Sequence, residues 1–268
     1  MNQRPIASSL GIYLFAAGAI ALGLIGLGWG DFATDWQRVV PTVPFRPLLA
    51  YATAIFELAA GIALCWGPSA RAGALLLTAI FSVFALLWVP RIAGNPRIYD
   101  SWGNLFEELS AVIAGLVLCA QLARRDSAFA RSEPLVARLY GICVISFGVV
   151  HLVGFAGLPA WIPAWIPPGP LFWAYATTVG FFLAAPAILF GLLAPLAARL
   201  LAVMILSFEV FVWFPKLFAA PHEHFIWSGN GIALALAGAA WVVADSIAKT
   251  AKHRQAATVP APEIAKSA

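Results

Sequence analysis

Five titratable residues lie within long runs of apolar residues: Glu57, Glu107, Glu108, His151 and Glu209. A charged side chain at the centre of a bilayer costs about 2.5 to 3.5 kcal/mol on insertion scales, so such residues generally mark a ligand, ion or proton site. Carboxyl and imidazole groups can hydrogen-bond a small molecule or exchange protons with it. We therefore predict a ligand-binding or proton-transfer site among these five residues.

His151 and Glu209 are predicted to face one shared cavity. Counting about 1.5 Å of rise per residue from the predicted helix ends places both side chains about 8 Å below the outer boundary of the membrane. Glu57 would lie below them, and Arg91 or Lys216 would lie at the rim. A carboxylate beside a histidine would lower the cost that either charge meets alone in lipid.

The remaining predicted ligand contacts are polar or aromatic side chains near the same membrane boundary: Trp102, Asn104, Trp227 and Asn230. Glu107 and Glu108 share a helix face with Asn104, but they also lie near enough to the predicted headgroups to be hydrated without any ligand. Glu57 or Glu209 would equally need no ligand if it were protonated and hydrogen-bonded between helices.

The segment HEH contains two histidines two positions apart, His222 and His224. In an extended segment these side chains face one side, as metal ligands would. Zinc or copper requires three or four ligands, so His151 or a carboxylate would have to complete the site. We therefore predict no metal site, with His222 and His224 as weak candidates only. The segment is predicted to be an interfacial or ligand-contacting loop.

One fifteen-residue pattern occurs twice, as WVPRIAGNPRIYDSW from Trp88 to Trp102 and as WFPKLFAAPHEHFIW from Trp213 to Trp227. Each landmark of the pattern is displaced by 125 positions. Its first Trp and Pro are predicted to end a helix at the headgroup level, where the following cation, Arg91 or Lys216, can reach phosphates. The pattern therefore indicates a membrane anchor or, alternatively, a cation that binds an anionic or carbonyl-bearing ligand.

The titratable residues are not repeated with the pattern. The positions that correspond to Glu57, Glu209 and His151 in the other half are Phe181, Phe84 and Ala21. One asymmetric site between the two halves explains this better than two equivalent sites.

Composition identifies the medium in which these residues must work. The chain has 268 residues, of which 62% are hydrophobic and only 10% are charged, and its mean hydropathy is +0.88. Soluble domains are about half apolar and a quarter charged. Because about 20 helical residues cross a bilayer, we searched for apolar runs of that length, and eight lie near residues 9–29, 48–66, 71–89, 104–123, 136–156, 171–190, 196–214 and 229–247.

These runs predict an all-α integral membrane protein with eight transmembrane helices, arranged as two parallel four-helix-bundle repeats. Helices are expected because the runs lack the alternation of a lipid-facing barrel strand. The first repeat would span residues 1–130 and the second residues 131–255, and both would enter the membrane in the same direction. Residues 256–268 are predicted to form a disordered cytoplasmic tail.

Charge distribution predicts the orientation. The amino terminus, the loops after the second, fourth and sixth predicted helices, and the carboxyl tail share one side of the membrane and carry eleven of the 16 Lys and Arg residues. The other side carries only Arg38, Arg46, Arg91, Arg97 and Lys216. The positive-inside rule therefore places both termini in the cytoplasm of a bacterial inner membrane. The net charge of +4 is explained by this topology, so no nucleic-acid partner is expected.

The repeated pattern, together with the run LALAGAAWVVADS at residues 234–246, resembles the DoxX family of small bacterial membrane proteins. Members are typically single four-helix units, and this chain resembles two such units fused. The resemblance covers most of residues 48–123 and 170–247. The family is named for a membrane subunit of a thiosulfate:quinone oxidoreductase, and some relatives are tied to oxidative-stress responses. The resemblance therefore implies a membrane redox role, but it carries over no catalytic motif.

Three functions remain open at this stage. The first is a quinone-interacting component of a membrane redox or oxidative-stress assembly, with a partner in the membrane or at its outer face. The second is a small-molecule or ion permease, and the third is a non-catalytic anchor for a partner. Motifs for phosphate-binding loops, zinc proteases, serine hydrolases and c-type haem are absent from the sequence. No intrinsic cofactor is expected; quinone is the candidate ligand, the lipid bilayer is the surrounding partner, and oligomers fit any of the three roles.

Overall fold

The computed structural model describes residues 10–124 and 127–258, with side chains described through residue 256. These residues form helices and no strand. The helices are α1 (Leu10–Trp29), α2 (Arg46–Cys65), α3 (Ala70–Gly94), α4 (Tyr99–Gln121), α5 (Ala128–Val153), α6 (Pro170–Phe190), α7 (Ala194–Phe208), α8 (Phe214–Ala219) and α9 (His224–Thr258). A π-helical segment, Glu209–Trp213, joins α7 to α8 without a break, and a short 3₁₀ helix, Leu158–Trp161, precedes α6.

Eight helical spans within the described residues are long and apolar enough to cross a membrane, counting α7 to α8 as one span. This confirms the predicted all-α class and the predicted number of spans. Local sequence explains several of the helix ends. Pro lies in the first turn of α2, α6 and α7, where its missing N–H is not needed. Gly191 ends α6 with a left-handed φ of 79°, a conformation that glycine adopts without steric cost.

The predicted helix ends at the two tryptophans are wrong. The third helix continues through Pro90 to Gly94, and the span containing Trp213 continues through Pro215 to Ala219. A proline within the last turns of a helix removes a single hydrogen bond, and the helix closes after it with Asn95 N donating to Arg91 O at 3.0 Å. The next helices also begin earlier than predicted, at residues 99 and 224.

The central helices of the fold are α4 and α9. The helix α9 packs against α1, α4 and α7, and α4 packs against α3, α5 and α9. Close approach of α1 and α9 depends on glycine. A Cβ atom at Gly238 would lie 2.1 Å from Phe15 N, and one at Gly18 would lie 2.4 Å from Ala235 N. Small residues of this kind let the backbones of membrane helices meet.

The two predicted units pack directly against each other. The first helix of unit one, α1, packs on α9 of unit two, and α4 of unit one packs on α5 of unit two. The predicted boundary at residue 130 lies inside the first turn of α5. The final helix extends to Thr258, into the start of the predicted tail, and the rest of that tail, residues 259–268, lies outside the described residues.

Candidate functional site

Four connections define one end of the bundle, which we call the loop end: residues 30–45, 95–98, 154–169 and 220–223. Aromatic rings from two of these connections pack there with rings from the π-helical segment and the start of α9. Trp36 packs against Trp213 with ring centroids 5.8 Å apart, and Trp161 packs against Trp213 at 5.4 Å. Phe225 stacks on Trp36 at 5.5 Å. The loop end therefore has an aromatic layer to which both halves of the chain contribute.

Gln37 connects the first loop to a buried carboxyl group. Its Nε2 donates to Glu57 Oε1 at 2.5 Å, and its Oε1 accepts from Ala33 N at 3.0 Å. Both Gln37 and Glu57 are buried. The backbone bond to Ala33 fixes the orientation of the amide, so Gln37 presents a donor to the carboxyl group of α2.

Trp36 makes the corresponding connection to α4. Its Nε1 donates to Glu107 Oε2 at 2.5 Å, while its backbone carbonyl accepts from Trp88 Nε1 at 3.0 Å. The Trp36 backbone is thus held by α3, and its indole stacks on Phe225 and meets Trp213 edge-on. Trp36 thereby holds the Glu107 carboxyl group against the loop.

Glu108 completes a group of three acidic residues, Glu57, Glu107 and Glu108, which we call the carboxyl cluster. Only 2% of Glu108 is exposed, and neither of its carboxyl oxygens has a hydrogen-bond partner. Glu57 and Glu107 lie close enough to interact with it electrostatically. A protonated carboxyl group can donate and accept hydrogen bonds, whereas the ionised group only accepts. The cluster therefore contains one buried carboxyl group that is free to bind a ligand or a proton.

A cavity of about 260 Å³ lies in the first loop, above this cluster. Its lining includes Asp31, Gln37, Arg38 and Arg46. Arg46 forms an ion pair with Asp31 at 2.6 Å and donates to Val39 O at 3.2 Å, which ties the loop to the start of α2. Gln37 lines the cavity and also bonds Glu57, so its side chain stands between the cavity and the carboxyl cluster.

His151 and Glu209 are the two residues predicted to face a shared cavity. No hydrogen bond or ion pair joins them among the described residues. His151 Nδ1 lies 3.5 Å from Thr177 Oγ1, and its ring packs edge-on against Phe181 at 4.9 Å. The same imidazole ring also stacks on Phe208, the residue before Glu209, with ring centroids 5.8 Å apart.

Glu209 occupies the first position of the π-helical segment and is buried, with Oε2 unpartnered. Its expected neighbour Glu57 belongs instead to the carboxyl cluster in the first half. The depth of Glu107 and Glu108 also differs from the prediction: because α4 begins at Tyr99, they lie more than two turns inside the helix. Glu57 thus lies beside Gln37 and Glu108, and a cavity shared by His151 and Glu209 stays a prediction.

The predicted rim cations have partners within the protein. Arg91 Nε donates to Ser101 Oγ at 2.9 Å, and Lys216 Nζ lies 4.0 Å from the centroid of the Trp161 ring. Asn104 Nδ2 donates to Asp100 O at 3.0 Å. These contacts do not need a ligand, so they agree with the anchoring explanation as well as with the ligand-binding one.

The closing tryptophan of each fifteen-residue pattern has the same hydrogen bond. Trp102 Nε1 donates to Pro96 O at 3.1 Å, and Trp227 Nε1 donates to Pro221 O at 2.9 Å. Asn230 donates to Ile226 O and Trp213 O, and its Oδ1 is buried without a partner. Both copies therefore share this closing Trp–Pro hydrogen bond, and Asn230, three residues after the second copy, leaves one polar atom unpartnered.

The two histidines of the HEH segment lie in different environments. His222 is exposed, whereas His224 begins α9 and stacks on Trp29 with ring centroids 5.0 Å apart. In the part of the chain that the structure describes, no group of three or more His, Cys, Asp and Glu residues is placed to hold a metal ion.

Sequence reasoning missed Trp36 and Gln37, the two residues that hold the carboxyl cluster. Both lie outside the apolar runs, in a loop whose polar residues read as solvent-exposed. The sequence around them, with Asp35 before and Arg38 after, gives no signal that distinguishes them from surface residues. Comparison of the chain with protein-family models, curated proteins and solved structures gave no match.

Proposed function

We propose that the chain is a DoxX-like multi-pass protein of the bacterial cytoplasmic membrane, built from two parallel four-helix repeats with both termini in the cytoplasm. Its proposed role is to bind a quinone as a component of a membrane redox or oxidative-stress assembly. The closing Trp–Pro hydrogen bond that the two fifteen-residue copies share supports the repeat. The apolar spans and the uneven distribution of Lys and Arg support the location and orientation.

One observation carries the ligand-binding part of this proposal. Glu108 is buried, both of its oxygens lack a partner, and two further carboxyl groups lie nearby. An unsatisfied buried polar group costs about 1 to 3 kcal/mol, and more if it is charged. A bound molecule that hydrogen-bonds Glu108 would recover that cost.

The residues present fit a quinone in chemical type. A quinone presents carbonyl oxygens that accept hydrogen bonds and a flat ring that packs on aromatic side chains. When bound, it would accept two electrons from a redox partner, together with two protons. Glu108 is the carboxyl group that remains free to donate a hydrogen bond or a proton, because Gln37 holds Glu57 and Trp36 holds Glu107.

The aromatic layer would keep the cluster dry on its outer side. Trp36 covers Glu107, and its ring is itself covered by Phe225 and Trp213. Protons would reach the cluster from the first-loop cavity through a rearrangement of the Gln37 side chain. Electrons would come from the cofactor of a partner protein, in the membrane or at its outer face.

Titration of the purified protein with a short-chain quinone tests this proposal, with tryptophan fluorescence as the readout. Glu108→Leu removes both oxygens at similar volume and should weaken binding at least about 10-fold. Glu108→Gln keeps hydrogen bonding but not the proton, so it should retain more affinity than Glu108→Leu. Glu223→Gln, an exposed change at the loop end, is the control. Equal affinities for wild type and Glu108→Leu would exclude the site.

A second candidate function is a proton or small-ion permease. The favouring observation is the π-helical segment at Glu209–Trp213, because π-helical turns often occur at functional sites and here one begins with a buried acid. Dye-based proton flux into proteoliposomes tests this function, with Glu209→Gln expected to reduce flux and Glu133→Gln, at the other end of the bundle, as the control. Flux that is equal to that of empty liposomes would exclude it.

A further inference from the structure

A second cavity, of about 220 Å³, lies at the end of the bundle opposite the loop end. It is formed by the first half of α5, the turn between α6 and α7, and the last turns of α9. Arg138 and Arg254 line it from two different helices, together with Gly191, Ala194 and Ile247. No Asp or Glu contributes to its lining.

The two arginines of this cavity have no acidic partner among the described residues, unlike their neighbours. Arg199 forms an ion pair with Asp245 at 2.6 Å. Glu133, the acid of α5, accepts hydrogen bonds from Gln121 and Ser246 instead. Positive charge in this cavity is therefore not neutralised by the described part of the protein.

The backbone places one of these arginines at the cavity wall. Gly191 has a φ of 79°, and a Cβ atom built there would lie 3.3 Å from Arg138 Nη2. The guanidinium group of Arg138 thus lies against the α6–α7 turn. The amino terminus of α7 follows at Ala194, and no side chain caps it. The partial positive charge of a helix start adds to that of the arginines.

The surroundings of the cavity are strongly apolar. Phe190, Leu192 and Leu193 flank Gly191 in the turn, and all three are largely exposed. In a membrane protein, side chains of this kind face acyl chains. A group bound in the cavity would therefore have cationic side chains on one side and lipid on the other.

We propose that the Arg138–Arg254 cavity binds a phosphate group, supplied by the headgroup of an anionic phospholipid. Guanidinium groups match phosphate oxygens with paired, charge-assisted hydrogen bonds. Basic cavities between membrane helices typically hold anionic lipid headgroups. This site is independent of the carboxyl cluster, which lies at the loop end.

Native mass spectrometry of the full chain in neutral detergent tests the proposal with defined probes. The lipid probes are dioctanoyl phosphatidylglycerol, dioctanoyl phosphatidylcholine and dioctanoylglycerol, and the soluble probes are inorganic phosphate and glycerol 3-phosphate. With about 1 kcal/mol from each arginine, Arg138→Gln or Arg254→Gln should weaken phosphatidylglycerol binding about 5-fold, and the double variant about 30-fold. The matched controls, Arg131→Gln and Lys252→Gln, remove exposed charges of nearby turns and should leave the affinity within about 2-fold.

The probes separate the two sources of phosphate. Tight binding of phosphatidylglycerol with weak binding of both soluble phosphates identifies a lipid site. If inorganic phosphate binds as tightly as phosphatidylglycerol, the ligand of the same arginines is a soluble anion. Two results would overturn the proposal: dioctanoylglycerol binding as tightly as phosphatidylglycerol, or the arginine variants binding as the controls do. If the double variant does not purify, the single variants decide between these results.

Discussion

In residues 10–124 the loop after α1 turns polar groups inward, whereas in residues 127–258 the loop after α5 contributes mainly aromatic rings. Trp36 and Gln37 of the first loop donate hydrogen bonds to Glu107 and Glu57. The loop after α5, residues 154–169, places Trp161 against Trp213 instead. The acids follow the same division, since the buried Glu57 and Glu108 and the half-buried Glu107 gather under the first loop.

The contrast is sharpest because the surrounding framework is so similar. Within the two fifteen-residue copies, one helix ends at residue 94 or 219 and the next begins at residue 99 or 224. Both the helix ends and the helix starts are 125 positions apart. At the position of Phe84, the second copy has Glu209 and a π-helical turn. At this position the two halves therefore differ in side chain and in local helix geometry.

The largest effect should come from separating the halves where α1 meets α9. Gly238→Ala would place a Cβ atom 2.1 Å from the backbone of Phe15, which cannot rotate away. Overpacking of this kind typically costs about 1 to 3 kcal/mol, and contact with backbone should bring it to the upper end. The check is the melting temperature in detergent, with Gly28→Ala as the control because its Cβ atom meets nothing within 4 Å. Equal melting temperatures would show that this contact does not join the halves.

A smaller loss is expected when the first loop is made to resemble the second. Trp36→Phe keeps an aromatic ring but removes the N–H that bonds Glu107, leaving a carboxyl oxygen without its partner. The expected cost is about 2 kcal/mol. The comparison is Trp165→Phe in the other loop, where the side chain is 70% exposed. If thermal unfolding responds equally to both variants, the first loop does not hold the carboxyl cluster.

The sequence alone predicts the eight helical spans but not the contacts from the first loop to the carboxyl cluster or between α1 and α9. Apolar length identifies a crossing helix because the bilayer imposes it. The predicted starts of α4 and α9 come too late in the chain, because the prediction assigns Trp102 and Trp227 to loops. The bond from Trp36 to Glu107 joins residues 71 positions apart, and nothing in a single sequence specifies which buried acid a loop will meet. The α1–α9 contact was hidden for a similar reason, since glycine occurs in most of the spans.

Removing the isolated acid of the second half should raise stability. Glu209 is buried with Oε2 unpartnered, so Glu209→Met replaces an unsatisfied polar group by an apolar one of similar size. The expected gain is about 1 kcal/mol. The corresponding change in the first half, Glu57→Met, breaks the bond from Gln37 and should lower stability instead. Thermal unfolding of both variants checks the opposite signs, and a loss in both would mean that Glu209 has a stabilising partner.

The smallest effect concerns the cations of the two copies, which should not be interchangeable. Arg91 uses a directed N–H to Ser101, whereas Lys216 lies over the ring of Trp161. Lys216→Arg keeps a cation above the ring, and the expected change in stability is within about 0.3 kcal/mol. Arg91→Lys loses the planar donor geometry, and the expected loss of stability is about 0.5 to 1 kcal/mol.

Because the two expected changes in stability are close, both variants should be unfolded side by side in the same detergent, together with Ser101→Ala. If Arg91→Lys lowers stability only when Ser101 is present, the bond is the cause; an equal loss in the Ser101→Ala background would attribute the effect to charge placement at the membrane boundary, as expected of a pure anchor.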